Sequence, residues 1–161
     1  MNHLEHDLIP PTKSIKIVEN RLITHWESVG EAAIRDGYKL NMPKGVTESP
    51  GVYRIIAIKS GSAYIGESQN LATRLRDYEN AGYEPDRAAN TNRTVQGWIY
   101  ETLQDHDVSV QISICAQAEI VDGANLPIAL DLREKYFRTL VESFTIFNHR
   151  DLTLINKQFQ K

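Results

Sequence analysis

The sequence predicts an α+β domain: a small three-stranded antiparallel sheet flanked by helices, preceded by a helical N-terminal extension. Three observations carry that expectation. Between residues 51 and 65 two short stretches rich in β-branched and aromatic residues flank Ser60-Gly61, the pattern of a hairpin. Residues 108–115, VSVQISIC, alternate apolar and polar side chains in strand period. The segments around them repeat apolar residues every three or four positions, as amphipathic helices do.

Taken in order, residues 1–14 read as an irregular leader, because Pro10-Pro11 bars a helix there. Over residues 15–36, Ile17, Val18, Leu22, Ile23, Trp26, Val29 and Ala33 recur at helical spacing, and Gly37 follows as a stop. The Pro- and Gly-containing run NMPKGVTESPG is a connector, so the domain proper is expected over residues 50–161 and the extension over 1–49. GVYRIIAIK and SAYIG form the hairpin. Ser68 is the expected N-cap of a helix in which Leu71, Leu75 and Tyr78 make one apolar stripe. GYEPDRAANTNR reads as a polar loop. TVQGWIYETLQ is the next helix, with Val95, Trp98, Ile99 and Leu103 inward and Gly97 weakening it. In the strand after it, Val108, Val110, Ile112 and Ile114 share a face. AEIVDGANLP reads as a loop. A long helix over residues 128–147 places Ile128, Leu132, Tyr136, Leu140 and Phe144 four apart, and LTLIN closes the chain as a short strand or packed segment.

Composition excludes several classes. With 161 residues, 41% hydrophobic and 24% charged, the chain fits one folded domain rather than a disordered one. A single cysteine, Cys115, gives no internal disulfide, which suits a reducing compartment. The first residues lack an apolar signal core and no run approaches a membrane span, so the cytoplasm is the expected location. Net charge is −3, which by itself does not suggest a polyanionic partner. Only the middle is net positive: residues 37–99 carry 8 Lys and Arg against 6 Asp and Glu. The five histidines are scattered without metal-ligand spacing.

Chemistry concentrates in that middle segment. A two-residue turn at 59–60 or 60–61 pairs residues whose numbers sum to 119 or 121. Tyr53 and Tyr64 sum to 117, an even step away, so both phenols project from one sheet face. Such a pair also suits a purely structural role, since tyrosine is a good strand residue. Gly66 is expected to end the second strand beside a helix N-terminus, a place that attracts phosphate oxygens. Arg74 lies between Leu71 and Tyr78 at the edge of the buried stripe and can bind two phosphate oxygens at once. It could equally be a solvated helix arginine paired with Asp77 or Tyr78.

Gly51-Val52-Tyr53, Tyr64-Ile65-Gly66, then Ser68, Asn70, Leu71, Arg74 and Leu75, with ten residues from Tyr64 to Arg74, resemble the signature of the GIY-YIG nuclease superfamily. The likeness spans roughly residues 50–157. The stretch RLRDYEN is similar to excision-repair members, while NTNRTVQGWIYETL, lying before the third strand, resembles the restriction-endonuclease branch. The resemblance implies a DNA endonuclease that uses Mg2+ (or Mn2+), with Glu142 on the last long helix holding the metal and Asn156 bracing the site. Tyr53 would be the general base, Tyr64 would orient water or phosphate, and Arg74 would balance charge on the scissile phosphate. A phenol's ordinary pKa near ~10 must fall for the first role. Glu134 with Asn148 has the same separation as Glu142 with Asn156, and Glu142 could simply pair with Arg138, so spacing leaves the choice open.

Gly66, Ser68, Asn70, Arg76, Tyr78, Thr91, Asn92 and Arg93 are the expected DNA contacts, although Thr91 to Arg93 also suit a loop ahead of a helix starting at Thr94. Two positions depart from the family's subgroups. Excision-repair members have lysine where this chain has Glu67, and homing members have histidine where it has Tyr78. The expected partner is double-stranded DNA, bound by a homodimer and cut at specific sites as by a type II restriction enzyme. A structure-specific repair nuclease and an inactive DNA-binding module of the same fold are the alternatives.

Overall fold

The computed structural model describes residues 20–80, 91–120, 127–149 and 153–156. Its centre is the expected hairpin. Strand β5 (Gly51–Ala57) pairs antiparallel with β6 (Ser62–Ser68), with Tyr53 opposite Gly66 and Ile55 opposite Tyr64. Paired residue numbers sum to 119, so Tyr53 and Tyr64 do share a face. Strand β7 (Val108–Ser113) lies antiparallel on the other side of β5. These three make the expected sheet, and two further strands widen it to five in the order β10-β6-β5-β7-β2. β10 (Thr153–Leu154) runs parallel to β6, and β2 (Glu27–Glu31) runs antiparallel to β7. The fold class stands as mixed helix and sheet, but a sheet of only three strands does not.

The pleat sends alternate side chains to opposite faces, and both faces are covered. On one, Tyr53, Ile55, Tyr64, Val108, Val110 and Ile112 pack against Leu71, Leu75 and Tyr78 of helix α1 (Leu71–Asn80) and Val95 and Ile99 of helix α2 (Thr91–Thr102). On the other, Val52 and Ile65 meet Val141 and Ile146 of helix α3 (Lys135–Asn148). β5 is therefore buried almost throughout.

The N-terminal helix expected over residues 15–36 is corrected, and with it the notion of a helical extension. The described part, residues 20–41, is four strands: β1 (Asn20–Thr24), β2, β3 (Ala33–Arg35) and β4 (Lys39–Asn41). Asp36-Gly37, read as a helix stop, is the turn of the β3–β4 hairpin. Tyr38 N–H donates to the Arg35 carbonyl at 3.2 Å, and Asp36 and Gly37 both have positive φ (53° and 76°), as a type I′ turn requires. Gly30 takes φ 128° where a bulge interrupts the β2–β7 pairing. Edge pairing to β7 outweighed a helical spacing that rested on scattered apolar residues.

Two smaller corrections concern the C-terminal half. Residues 116–120, placed partly in a loop, form β8 (Ala116–Ile120), which joins β1 and β9 (Ile128–Leu130) in a second antiparallel sheet. The last helix begins at Lys135 rather than 128, after an Asp131 turn in which its carboxylate accepts from the Arg133 N–H at 3.0 Å. Its buried side is also rotated from the expected stripe. Arg138, Val141, Thr145 and Ile146 face inward while Tyr136 and Leu140 are exposed, because α3 seats on the sheet around an arginine that spacing of apolar residues cannot foresee. β7 ends at Ser113, so Ile114 leaves the apolar face and is exposed. The Asp122-Gly123 turn lies outside the described residues.

Candidate active site

Both motif glycines answer to close packing. A Cβ on Gly66 would sit 2.4 Å from the Tyr53 hydroxyl and 2.6 Å from its Cζ, and one on Gly51 would sit 2.5 Å from the Ser113 carbonyl oxygen. Gly66 is inside β6 and buried under the Tyr53 ring, so it does not end the strand as expected. Tyr53 fills the space it leaves. The rings of Tyr53, Tyr64 and Tyr78 form a triangle with centroid separations of 6.2–6.3 Å, tilted or edge-on to one another.

Their hydroxyls differ sharply in surroundings. Tyr53 is fully buried, with its hydroxyl 2.6 Å from that of Tyr78 and accepting from Arg74 Nε at 3.0 Å. Burial, reinforced by Tyr64, pushes the Tyr53 phenol well above its ordinary range despite the opposing pull of Arg74. Burial does the same to Tyr78, with Tyr53 adding to it. Tyr64 keeps 7% exposure, and its hydroxyl bonds to none of the described residues. The expected general base is thus sealed from water, as is Tyr78, while Tyr64 is the one of the three that reaches it.

Arg74 is half-buried on α1 and held on two sides. Beyond its bond to Tyr53, Nη1 donates to Asn92 Oδ1 at 2.8 Å, and the guanidinium stacks 5.0 Å from the Tyr78 ring centroid. Neither of the alternatives read from spacing, a solvated side chain or an Asp77 pair, describes it. Tyr78 is its stacking partner in place of an ion-pair partner, and is buried.

From the opposite face α3 brings Glu142 within electrostatic reach of Arg74. Burial first, and the nearby Glu67 carboxylate second, push the Glu142 carboxyl up to about 7, with Arg74 pulling the other way. Arg138 does not pair with Glu142. It donates from Nε to Glu67 Oε2 at 2.6 Å and from Nη1 to the Leu132 and Arg133 carbonyls, both at 2.8 Å, with only 4% exposure. The acid that departs from the family pattern therefore has its own buried cation, a partnership the sequence does not signal across 71 residues.

Asn156 is buried and pairs with both backbone groups of Ile65. Its Oδ1 accepts from the Ile65 N–H at 3.0 Å and its Nδ2 donates to the Ile65 carbonyl at 2.6 Å. It prolongs the β10–β6 ladder by a side chain and fixes β6 between Tyr64 and Gly66. Glu134 and Asn148, equally spaced in sequence, are both exposed at the two ends of α3, and Glu134 serves as its N-cap residue.

The remaining expected DNA contacts divide. Asn70 caps α1, its Oδ1 accepting from the Thr73 N–H at 2.8 Å, and Ser68 Oγ accepts from the Asn70 N–H at 3.0 Å. Asn70 rather than Ser68 is thus the helix cap. Arg76 and Arg93 are exposed and free to meet a polyanion, and Arg76 borders a cleft of about 260 Å³ between α1 and residues 42–48. Thr91 opens α2, which starts there and not at Thr94. No described helix is long and apolar enough to cross a membrane.

Residues 49–112 match the family model of the GIY-YIG catalytic domain. That match supports an enzyme of the GIY-YIG endonuclease type. Among solved structures, a mutant of bacteriophage T4 EndoII superposes with a TM-score of 0.54 at 17% identity, covering 76% of this chain and 88% of that one. That likeness is one of fold. No curated protein matches the chain significantly.

A divalent metal fits what the donor set offers. Glu142 is half-buried, hydrogen-bonds none of the described residues, and has its carboxyl raised by its burial and by Glu67, so a cation beside it would relieve both. No described cluster of three or more His, Cys, Asp or Glu exists to cage a metal with protein alone, so water and phosphate oxygens would complete the shell.

Proposed function

We propose that this chain is a metal-dependent endonuclease that hydrolyses phosphodiester bonds in double-stranded DNA at specific sites. The observation that carries the proposal is a guanidinium, that of Arg74, pinned by Tyr53 and Asn92 within electrostatic reach of both a water-reaching phenol, Tyr64, and a half-buried carboxylate, Glu142. Arg74, with its remaining N–H groups directed away from Tyr53 and Asn92, receives the scissile phosphate and offsets charge as it builds. Tyr64, acting as phenolate after losing its own proton to solvent, accepts the proton of the attacking water. This assignment replaces Tyr53, whose buried hydroxyl is engaged by Tyr78 and Arg74. Tyr53 instead links Arg74 to the sheet. Asn156 holds the β6 backbone so that Tyr64 keeps its direction. Glu142 would hold Mg2+ or Mn2+, which supplies Lewis-acid stabilisation of the developing oxyanion.

The pairing of Glu67 with Arg138 answers the objection that an acid beside the phosphate would repel DNA. One such constellation per chain suits a homodimer that cuts both strands. The test is incubation with long unmodified duplexes and Mg2+, with EDTA as control, alongside Tyr64→Phe, Tyr53→Phe and Glu142→Gln. Discrete metal-dependent fragments, lost in Tyr64→Phe and Glu142→Gln while folding persists, are expected. Full activity in Tyr64→Phe with none in Tyr53→Phe would return the base to Tyr53. Cutting confined to branched or damaged DNA would make this a structure-specific nuclease, and binding without turnover an inactive module.

A further inference from the structure

We infer that Asn92, at the start of α2, is a positioning residue for Arg74 and not a DNA contact; the inference rests on the nuclease reading above. A guanidinium carries five N–H groups in a fixed plane. Here Nε is bonded to the Tyr53 hydroxyl at 3.0 Å and Nη1 to Asn92 Oδ1 at 2.8 Å, while the Tyr78 ring lies 5.0 Å from the guanidinium carbon. One bond alone would leave the plane free to pivot about it. Two, from different nitrogens to groups on different elements, fix its direction, and the second Nη1 hydrogen and both Nη2 hydrogens are left for phosphate oxygens.

The identity of the second holder matters as much as its place. A neutral amide orients Arg74 without cancelling its charge, whereas a carboxylate would form an ion pair and weaken the attraction for phosphate. Tyr53 is neutral too, so the whole cradle keeps the positive charge available. Arg93, the exposed neighbour of Asn92, leaves a cation on α2 open to a polyanion. α2 thereby acquires a role in the reaction through one side chain, although it lies outside the hairpin that carries both motif tyrosines.

The test uses the full-length protein and Asn92→Ala, with two readouts. In the free protein, hydrogen exchange of the Arg74 Nε–H, followed by NMR, is expected to accelerate at least ~10-fold as the guanidinium is released from one anchor. On DNA, kcat at saturating substrate is expected to fall ~10–100-fold, the scale of a small misplacement of a reacting group. The Kd for DNA measured in Ca2+ should stay within about twofold, because no DNA contact is lost. Arg74→Ala, run in parallel, is expected to make Asn92→Ala silent when the two are combined, as a residue acting only through Arg74 must be. Unchanged Arg74 exchange, or weakened DNA binding with kcat intact, would overturn the inference and make Asn92 a DNA contact. If Arg74→Ala alone left cleavage intact, the nuclease reading of Arg74 would fall instead, and the exchange measurement would still decide whether Asn92 holds it.

Discussion

Gly66→Ala tests the packing at the centre of this site. An added Cβ would lie 2.4 Å from the Tyr53 hydroxyl and 2.6 Å from Cζ, where ordinary contact is 3.4–4 Å, so the ring must retreat by about 1 Å. It has nowhere to go. Tyr53 is fully buried, its hydroxyl is 2.6 Å from that of Tyr78 and 3.0 Å from Arg74 Nε, and the rings of Tyr64 and Tyr78 flank it. Overpacking of this kind costs ~1–3 kcal/mol, and stretching the two hydrogen bonds adds about 1 kcal/mol. The sum, about 2–4 kcal/mol, is below the ~5–15 kcal/mol that holds a domain folded, so the variant should fold. Activity should suffer more, because Arg74 moves with its partner, and a 1 Å error at a reacting group can cost ~100-fold. Urea unfolding gives the stability change, and single-turnover cleavage gives the rate. Gly97→Ala is the control: its Cβ meets nothing within 4 Å inside α2, so it should stabilise by ~0.5–1 kcal/mol and leave cleavage unchanged. A Gly66→Ala protein with wild-type midpoint and wild-type rate would refute the packing argument for the motif glycine.

Other outcomes follow from the same geometry. With its carboxyl raised to about 7, Glu142 is largely protonated below that pH and ionised above it. Mn2+ affinity, measured by calorimetry, should therefore climb with pH up to about 7 and level off above, with close to one proton released per ion at pH ~6 and almost none at pH ~8.5. Because Glu67 is the second cause of that shift, Glu67→Gln should move the Glu142 titration, followed by carbon NMR, back toward the usual carboxylate range. Removing Glu67 altogether, as Glu67→Ala, strands the charge of the buried Arg138 and should cost about 3 kcal/mol in urea unfolding. Asn156→Asp turns a donor to the Ile65 carbonyl into an acceptor in a buried place and should cost ~1–3 kcal/mol; a variant as stable as wild type would show that the brace on β6 is dispensable.

Much of this protein is legible in local order. The hairpin, the shared face of Tyr53 and Tyr64, the inward stripe of Leu71, Leu75 and Tyr78, and the strand alternation of Val108, Val110 and Ile112 follow from strand and helix period alone, because each involves residues close in the chain. Tertiary structure decided what period cannot carry. Residues 20–41 became strands because an open edge of β7 and a positive-φ turn at Asp36-Gly37 outweighed a helical spacing that local physics allowed equally well. Glu142 and Glu134 differ in burial through which turn of α3 meets the sheet, and that turn is set by contacts with Val52 and Ile65, far off in sequence. The bonds from Arg74 to Asn92, Arg138 to Glu67 and Asn156 to Ile65 join residues 18, 71 and 91 positions apart, so no spacing rule reports them. Residue types in the sequence thus determined which groups could take part in the chemistry. Their environments, from the sealed phenol of Tyr53 to the half-buried carboxylate of Glu142, arise only from packing, because burial and the charge of a distant neighbour exist only once the chain has folded.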